Sequence, residues 1–259
     1  MFAKPFVDAL GGHQDGVYCL GKDPRRVSVI AGGGGDGEVI VHSIAMRRPL
    51  LKIPNAHRGM VGGICWTAEE RDGKRGLITA GKLDGSIKVW RSDAFTPGMR
   101  AKEAFEGNEF GSGNGEGSSS QAPLDVAGAI GENGLDDFDE EEGGGLGIDS
   151  AKRDAMGRNL EPTMTYTSKN GFNGIDHHRT DGVFATASNT VQIWDETRSS
   201  PLSTLAFGNS METVTGVKFN QSETSVLASV GNDRTMCLYD IRTGKAERRI
   251  MMQVSKAKT

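Results

Sequence analysis

Four short segments of this chain share one internal pattern, in which a turn residue stands six positions before an imidazole or aromatic ring. The residues between the turn and the ring alternate between apolar and polar types. The four segments are residues 36–42 (DGEVIVH), 84–90 (DGSIKVW), 188–194 (SNTVQIW) and 233–239 (DRTMCLY). Because successive side chains of a strand point to opposite faces, this alternation predicts four β-strands that each follow a tight turn.

The spacing of the four rings indicates a repeat. The ring positions 42, 90, 194 and 239 are separated by 48, 104 and 45 residues. Allowing for loops, the intervals of 48 and 45 match the period of about 40–45 residues that is typical of four-stranded propeller blades. The long middle interval predicts a loop inserted between the second and third units.

The polar segment at residues 92–161 accounts for that long interval. It is rich in glycine and serine, and between Glu103 and Ser150 it holds 13 acidic and no basic residues. We expect it to be a disordered insertion, because it cannot bury enough apolar surface to offset the entropy of ordering. Its acidic run, residues 135–142, is interpreted as a solvated linker, with docking on a basic partner as the alternative. The predicted organisation is therefore blades one and two at 1–91, the insertion at 92–161, and blades three and four at 162–259.

The charge of the remaining chain is basic, although the net charge of the whole chain is -4. Outside the acidic stretch there are 30 basic and 21 acidic residues, a net charge of +9. Such a surface suits a partner that carries phosphates or acidic side chains. No apolar run approaches the roughly 18 residues of a membrane span, so no membrane partner is expected. The three cysteines form no CxxC pair, which favours a reducing compartment.

One glycine-rich motif raises the alternative of a nucleotide site. Gly32, Gly34 and Gly37 fit G-x-G-x-x-G, the spacing of a dinucleotide-binding loop. That loop must lead into a helix, whereas Gly37 leads into the alternating run EVIVH. In register with the second unit, Asp36 and Gly37 instead predict a hairpin turn.

No other motif indicates catalysis, a metal or a cofactor. His177 and His178 are neighbours on a predicted strand and therefore point to opposite faces, so we expect structural histidines at the opening turn of the third unit. The cysteines lie in apolar strand contexts without an adjacent base. The prediction is a protein that is not an enzyme, with no cofactor and no metal site.

The second unit carries the features of a particular repeat. AHRGMVGGICW (residues 56–66) places a small residue and a histidine before a short apolar strand, and the unit closes on Trp90. With its neighbours in register, it resembles the WD repeats, in which Gly-His opens the unit and Trp-Asp closes it. The resemblance implies a buried hydrogen-bond network of His57, Thr79, Asp84 and Trp90. A buried aspartate and histidine need such mutual pairing.

The other units depart from this pattern. His42 stands at the ring position of the first unit, and Ser188 replaces the turn aspartate of the third. Tyr239 replaces tryptophan in the fourth unit, which has no clear upstream histidine. A complete network is therefore expected only in the second unit.

Two arginines follow the closing strands of the last two units. Arg198 ends the segment WDETR, and Arg242 ends YDIR. An arginine at this point projects from the rim, where its planar fork can pair with a partner's carboxylate. The alternative interpretation is that both are ordinary solvated charges of the rim.

A closer resemblance rests on FAKPFVDALGGHQDGVYCLGKDP, GIDHH, VFATASNTVQIWDE and NDRTMCLYDIR. Together these resemble the Sof family of nucleolar WD-repeat proteins, over residues 2–90 and 171–252. The resemblance implies a seven-bladed propeller that serves as a scaffold of the small-subunit processome in the nucleolus. Its implied partners are processome proteins, a box C/D small nucleolar ribonucleoprotein and the pre-ribosomal RNA.

The same resemblance implies an alternative function. Animal members of the family are described as substrate receptors of a cullin-RING ubiquitin ligase, in which a W/Y-D-x-R arginine meets the adaptor. Tyr239-Asp240-Ile241-Arg242 fits that pattern, whereas WDETR has one residue too many, which makes Arg198 the weaker candidate.

The length of the chain supplies material for about four blades, fewer than the family's propellers have. We therefore expect an all-β, partial WD-repeat β-propeller and a fragment or truncated version of a longer protein. A closed ring of four blades is the alternative. A half-propeller would leave a long unpaired edge, which favours aggregation or pairing with another chain.

Overall fold

The computed structural model describes residues 9–95, 160–205 and 213–252. Sixteen strands make up four antiparallel sheets in these ranges, and a short 3-10 turn at Asp93–Phe95 accompanies them. The all-β prediction is confirmed. Among the described residues, no helix has the length and apolar character that crossing a membrane requires.

Each sheet is a four-stranded meander, in which strands that follow one another in the chain pair side by side. The first sheet contains β1 (Val17–Lys22), β2 (Val29–Gly34), β3 (Val39–Ser43) and β4 (Arg48–Ile53). The second contains β5 (Val61–Trp66), β6 (Arg75–Gly81), β7 (Ser86–Ser92) and β8 (Met164–Thr167). The third contains β9 (Gly174–His177), β10 (Val183–Ala187), β11 (Val191–Asp195) and β12 (Ser203–Leu205). The fourth contains β13 (Val214–Phe219), β14 (Val226–Gly231), β15 (Thr235–Asp240) and β16 (Lys245–Met251).

The repeated sequence pattern marks the same strand of every sheet. The four predicted strands are β3, β7, β11 and β15, the third strand of each blade. Each is buried between two neighbours of its own sheet, which is why its apolar alternation is the clearest signal in the repeat. Four repeats of this pattern therefore correspond to four blades.

The insertion does not lie where the spacing placed it. β8 pairs with β7, with Ile87 opposite Tyr166, so β8 is the fourth strand of the second blade. The loop predicted between the second and third units therefore interrupts the second blade, between its third and fourth strands. The ring spacing could not reveal this, because the ring of the repeat lies on the third strand. The interval between rings is the same whether the fourth strand comes before or after the insertion.

The boundary of the insertion at residue 92 is also too early. Ser92 ends β7, and Phe95 is fully buried and meets Trp66 edge-on, with ring centroids 5.6 Å apart. The blade thus continues at least to Phe95, because a ring packed in the core belongs to the folded unit. The rest of the predicted insertion, residues 96–159, lies outside the described residues.

The first strand of each blade is its innermost strand. β1 packs against β5, β5 against β9, and β9 against β13, so the blades follow one another in chain order. One apolar cluster fills each of the three gaps between successive blades. On β1, Val17 is 48% exposed and Leu20 is 66% exposed, which shows that no described blade covers the outer side of the first blade. The partial propeller is confirmed, and the four described blades do not close into a ring.

The antiparallel meander places the turns of each blade on two opposite faces of the partial propeller. Turns that join the first to the second strand and the third to the fourth strand lie at one end, here called the lower face. Turns that join the second to the third strand, together with the connections between blades, lie at the other end, the upper face. This division follows from antiparallel pairing alone and places the turn of Asp84 on the upper face and the turns of Arg198 and Arg242 on the lower face.

The glycine-rich stretch allows the first two blades to approach closely. A Cβ atom at Gly33 would lie 2.7 Å from Cys19 Sγ and 2.8 Å from Val61 Cβ. Gly37 has a φ of 86°, and a Cβ there would collide with the carbonyl oxygen of His57. The predicted hairpin turn is confirmed, and the chain enters β3 rather than the helix that a dinucleotide loop requires.

Candidate protein-binding site

The four residues predicted to form the network of the second blade lie together in the structure. His57, in the connection between β4 and β5, is 2% exposed, and its Nε2 lies 2.7 Å from Thr79 Oγ1. Trp90 donates its indole N–H to the same Thr79 oxygen over 2.9 Å. Thr79 therefore links His57, in the connection that precedes the blade, to Trp90 on the third strand of the blade.

Asp84 bonds to the other ring nitrogen of His57. Its Oδ2 lies 3.1 Å from His57 Nδ1 and accepts a hydrogen bond of 2.8 Å from the Ser86 hydroxyl. The Ser86 amide donates to the second carboxylate oxygen over 3.1 Å. Sequence reasoning missed Ser86, although its signal was present: a hydroxyl residue stands two positions after the turn aspartate.

These contacts assign the protonation of His57. Nδ1 faces a carboxylate, so it carries the proton and donates to Asp84, while Nε2 accepts from the Thr79 hydroxyl. Burial lowers the pKa of His57, and the nearby Asp84 carboxylate opposes this only in part. For Asp84, burial acts to raise the pKa, but the hydrogen bond from the Ser86 amide and the nearby His57 hold it below its usual value.

We expect the free energy of unfolding to fall as the pH drops below 6.5, the ordinary pKa of histidine. The unfolded chain protonates His57 near that pH, whereas the folded chain does so only at lower pH. The unfolded state therefore binds more protons in this window, and acid shifts the equilibrium towards it. Urea unfolding at pH 7.5 and pH 5.5 measures the effect.

The His57→Gln variant provides the control for that measurement. The free energy of unfolding of this variant should depend less on pH between 7.5 and 5.5. A residual dependence is expected, because burial also lowers the pKa of His13. A wild-type stability that stays constant from pH 7.5 to 5.5 would contradict the assignment of a neutral, buried His57.

The third and fourth blades keep only parts of the network. In the third, Trp194 donates to Thr186 Oγ1 over 2.9 Å, while Ser188 donates to the carbonyl of Gly171. In the fourth, the Ser229 hydroxyl and the Tyr239 hydroxyl are 3.3 Å apart. The hydroxyl-to-ring link across the second and third strands is thus the part that recurs.

The first blade has no such network. Gly32 occupies the position of Thr79, and a Cβ there would lie 2.9 Å from His13 Nε2. His13 is therefore the counterpart of His57, yet neither of its buried ring nitrogens has a hydrogen-bond partner in the structure. His42, at the ring position, bonds to the carbonyl of Gly11 over 3.0 Å.

Two charged clusters between blades were missed by sequence reasoning. Arg75, fully buried on β6, forms a two-point ion pair with the buried Asp23 of the first blade, at 2.6 Å and 3.2 Å. The buried Glu196 joins the second and third blades by accepting from Arg91 over 2.8 Å and pairing with His177 Nε2 at 2.7 Å. Both clusters join residues far apart in sequence, so no local pattern could reveal them.

The adjacent histidines lie elsewhere than predicted. His177 is the last residue of β9, and His178 follows it, so both stand at the lower end of the innermost strand rather than at the opening turn. His177 bonds to Glu196, and His178 Nε2 lies 3.0 Å from the carbonyl of Thr224. Across the described ranges, no group of three or more His, Cys, Asp or Glu side chains is placed to hold a metal ion.

The cysteines are shielded thiols. Cys65 and Cys237 are buried, and Cys19 is half-buried. Burial raises the pKa of Cys19 to about 12 and raises that of Cys65 well above its ordinary value. These two thiols therefore stay protonated at neutral pH and are poor nucleophiles.

Arg242 projects from the lower face of the fourth blade. Its side chain is 76% exposed and lies against its own Asp240, with Nη2 3.3 Å from Oδ2. The hydrogen bond to Asp240 raises the pKa of Arg242. Because Nε also donates to Asp240, over 3.4 Å, the carboxylate occupies one side of the guanidinium and leaves its Nη1 end open to a partner.

Arg198 does not occupy the equivalent position. The amide of Arg242 bonds to Asp240 Oδ1 over 2.9 Å, and the amide of Thr197 bonds to Asp195 Oδ1 over 2.7 Å. Thr197 is thus the counterpart of Arg242 in the third blade. Arg198 is exposed but stands one residue further along the turn.

The fold and the blade network define a WD-repeat protein. The family model described as "WD domain, G-beta repeat" matches residues 199–240, which hold much of the fourth blade. The match agrees with the meander topology. It also agrees with the aromatic ring that the third strand carries in every described blade except the first.

The chain is similar to animal and yeast proteins, in agreement with the Sof-type resemblance of its sequence motifs. The chain is 30% identical over 98% of its length to "DDB1- and CUL4-associated factor 13" of Xenopus tropicalis and to the protein of that name in Homo sapiens. It is 29% identical over 97% of its length to "Protein SOF1" of Saccharomyces cerevisiae. In each case the chain covers 42% of the relative's own length.

Proposed function

We propose that this protein is a non-catalytic scaffold of the small-subunit processome, which supports pre-rRNA processing in the nucleolus. The observation that carries the proposal is the similarity to yeast "Protein SOF1" along 97% of the chain. Three of the Sof-type motifs, GIDHH, VFATASNTVQIWDE and NDRTMCLYDIR, lie in the described blades, so this much of the resemblance belongs to described sheets. The proposed partners are processome proteins, a small nucleolar ribonucleoprotein and the pre-rRNA.

The structure supports a scaffold through the way its polar side chains are used. His57, Asp84 and Glu196, which have the chemical groups of an acid–base site, bond to partners inside or between blades. They stabilise the blades, and the outer faces are left for binding. The net charge of +9 outside the acidic stretch suits partners in a ribonucleoprotein particle.

Depletion of the protein tests this proposal. We expect a fluorescently tagged copy to concentrate in the nucleolus, and we expect depletion to cause precursors of the small-subunit rRNA to accumulate on RNA blots. A wild-type copy resistant to the depletion serves as the control and should restore processing. Unchanged precursors after depletion would overturn the proposal.

A second function is favoured by Arg242. We propose, as the alternative, that the protein is a substrate receptor of a cullin-RING ubiquitin ligase. The animal relatives are named for association with DDB1 and CUL4. Arg242 lies in a Y-D-x-R turn, is 76% exposed, and presents the Nη1 end of its guanidinium on the lower face, where an adaptor's carboxylate can pair with it.

Charge reversal at Arg242 tests the alternative. We expect Arg242→Glu to weaken co-purification with DDB1 by at least about tenfold, because a carboxylate would replace the cation at the contact. Arg198→Glu is the matched control, since it changes the same charge in the neighbouring turn but one residue out of register. Equal DDB1 recovery from the wild type and Arg242→Glu would exclude this contact.

A further inference from the structure

A cavity of about 250 Å³ opens where the lower ends of the four innermost strands meet. All four blades line it, through Leu20, Lys22, Trp66, Asp176, Arg179 and Lys218 among others. It lies near the axis of the partial propeller and takes no part in the network of the second blade. The cavity opens on the same face as Arg242 but is built from different turns.

The charges around this axial cavity do not cancel. Lys218 Nζ lies 2.6 Å from Asp176 Oδ1, and the other oxygen of Asp176 accepts the Phe219 amide, so this carboxylate is occupied. Arg179 donates to the carbonyl of Gln221 over 2.7 Å, and Lys22 is exposed at the end of β1. Within the described parts of the chain, no carboxylate pairs with Arg179 or Lys22, which leaves two uncompensated cations at the cavity.

Part of the remaining wall is apolar. Leu20, Ile64 and the tryptophan of β5 line this part, whereas His177, His178 and Gln221 line the rest. Leu20, which is 66% exposed, also faces the uncovered side of the first blade. A cation beside an apolar surface of this kind can bind a carboxylate of a ligand, while the apolar surface packs against an apolar part of the same ligand.

We propose that the axial cavity binds a short acidic segment of a partner protein, in which one or two carboxylates meet Lys22 and Arg179 and an apolar neighbour covers Leu20. The volume favours a peptide: a cavity of about 250 Å³ is below the roughly 300–1,000 Å³ of sites that enclose whole small-molecule ligands. A cavity of this size suits one or two side chains better than a whole nucleotide.

RNA fits the cavity less well than an acidic peptide does. A nucleic-acid strand presents phosphates at regular spacing and is bound by a row of cations that follows it, with aromatic faces for its bases. Here two uncompensated cations stand beside a wall that is apolar only in part, and Trp66 is only 3% exposed, so its face cannot stack on a base. The chemistry of the cavity thus matches carboxylates next to an apolar side chain.

The test uses the full chain and three fluorescein-labelled probes: an eight-residue peptide of alternating aspartate and leucine, the same peptide with asparagine for aspartate, and an eight-nucleotide oligouridine. We expect fluorescence anisotropy to detect the aspartate peptide, with affinity that falls as salt rises. The asparagine peptide should bind at least about tenfold more weakly, because it lacks the charge that the two cations attract.

The variant Lys22→Glu should weaken the aspartate peptide by at least about tenfold, because it removes one cation and introduces a repelling carboxylate. Lys245→Glu, a change of the same kind on the outermost strand β16, should leave binding unchanged. Arg179→Glu is the second test variant, and circular dichroism verifies that each variant is folded.

Three results would each overturn the proposal: no binding of the aspartate peptide at millimolar concentration, equal affinity for the asparagine peptide, or tighter binding of oligouridine. Unchanged peptide affinity in both Lys22→Glu and Arg179→Glu would also overturn it. The inference does not depend on the processome or the ligase proposal. Arg242→Glu is expected to leave peptide binding intact, so the failures can be told apart.

Discussion

Replacing Asp23 with alanine is expected to lower the free energy of unfolding by about 3–5 kcal/mol, because the change leaves the Arg75 guanidinium buried without its counter-ion. Both side chains of the pair are fully buried, and two hydrogen bonds join them across the first and second blades. Arg75 already has one buried nitrogen, Nη1, without a partner in the structure. The loss of Asp23 would extend that deficit to the whole side chain.

The double variant Asp23→Leu/Arg75→Met is the control. It removes the charge together with its partner, and apolar side chains of similar size replace a buried ion pair at little cost. We expect its stability to exceed that of Asp23→Ala by at least about 2 kcal/mol. Guanidinium unfolding followed by tryptophan fluorescence measures both, since Trp66 and Trp90 lie near the boundary of the first two blades. A double variant as unstable as Asp23→Ala would show that the site needs the ion pair itself.

The second large effect is expected at Thr79. Replacing it with valine keeps the shape of the side chain but removes the oxygen that both His57 Nε2 and Trp90 Nε1 use. Two buried polar groups then lose a partner, and each costs about 1–3 kcal/mol. We expect Thr79→Val to lower the free energy of unfolding by about 2–4 kcal/mol.

Thr186→Val in the third blade is the matched comparison. Thr186 accepts from Trp194 over 2.9 Å, but no histidine bonds to it, so the same substitution leaves one group unpaired rather than two. The expected loss is about half of that at Thr79. Equal losses at the two sites, measured by the same denaturation experiment, would mean that the link to His57 contributes nothing to stability.

The third strand of each blade was predictable because its signal is local. Asp84, Ser86 and Trp90 fall within one hairpin and one strand, and a turn aspartate six positions before a ring appears in a single reading of the chain. The side chains of a strand alternate with a period of two residues, so the four segments can be aligned in only one register. Alignment of their rings therefore also aligned their turns. The hydrogen bonds of the second blade were implied by the resemblance to WD repeats and not by the spacing alone.

The fourth strand of the second blade was not predictable in this way. Met164–Thr167 is four residues long and half exposed, with only Tyr166 as an anchor in the core. Such a strand is stabilised by pairing with β7 rather than by its own pattern, and its position after the insertion hid its partner. The predicted division of the chain therefore failed at the one strand that depends on a long-range contact.

The departures in the first blade have a similar origin. The sequence showed His42 in place of a ring, but it did not show that Gly32 removes the hydroxyl that His13 would need. That conclusion requires the register between β2 and β3, which sets Ile30 opposite His42 and so puts Gly32 at the position of Thr79.

By itself, the sequence determined the class of this protein: four repeats of turn, alternating strand and ring specify blades, because hydrophobic period and turn chemistry act over a few residues. The tertiary structure alone decided which side chains meet between blades. The Arg75–Asp23 pair, the contacts of Glu196 and the cavity near Lys22 each join residues from different repeats. Such contacts depend on how whole sheets pack against one another, and no spacing along the chain encodes that arrangement.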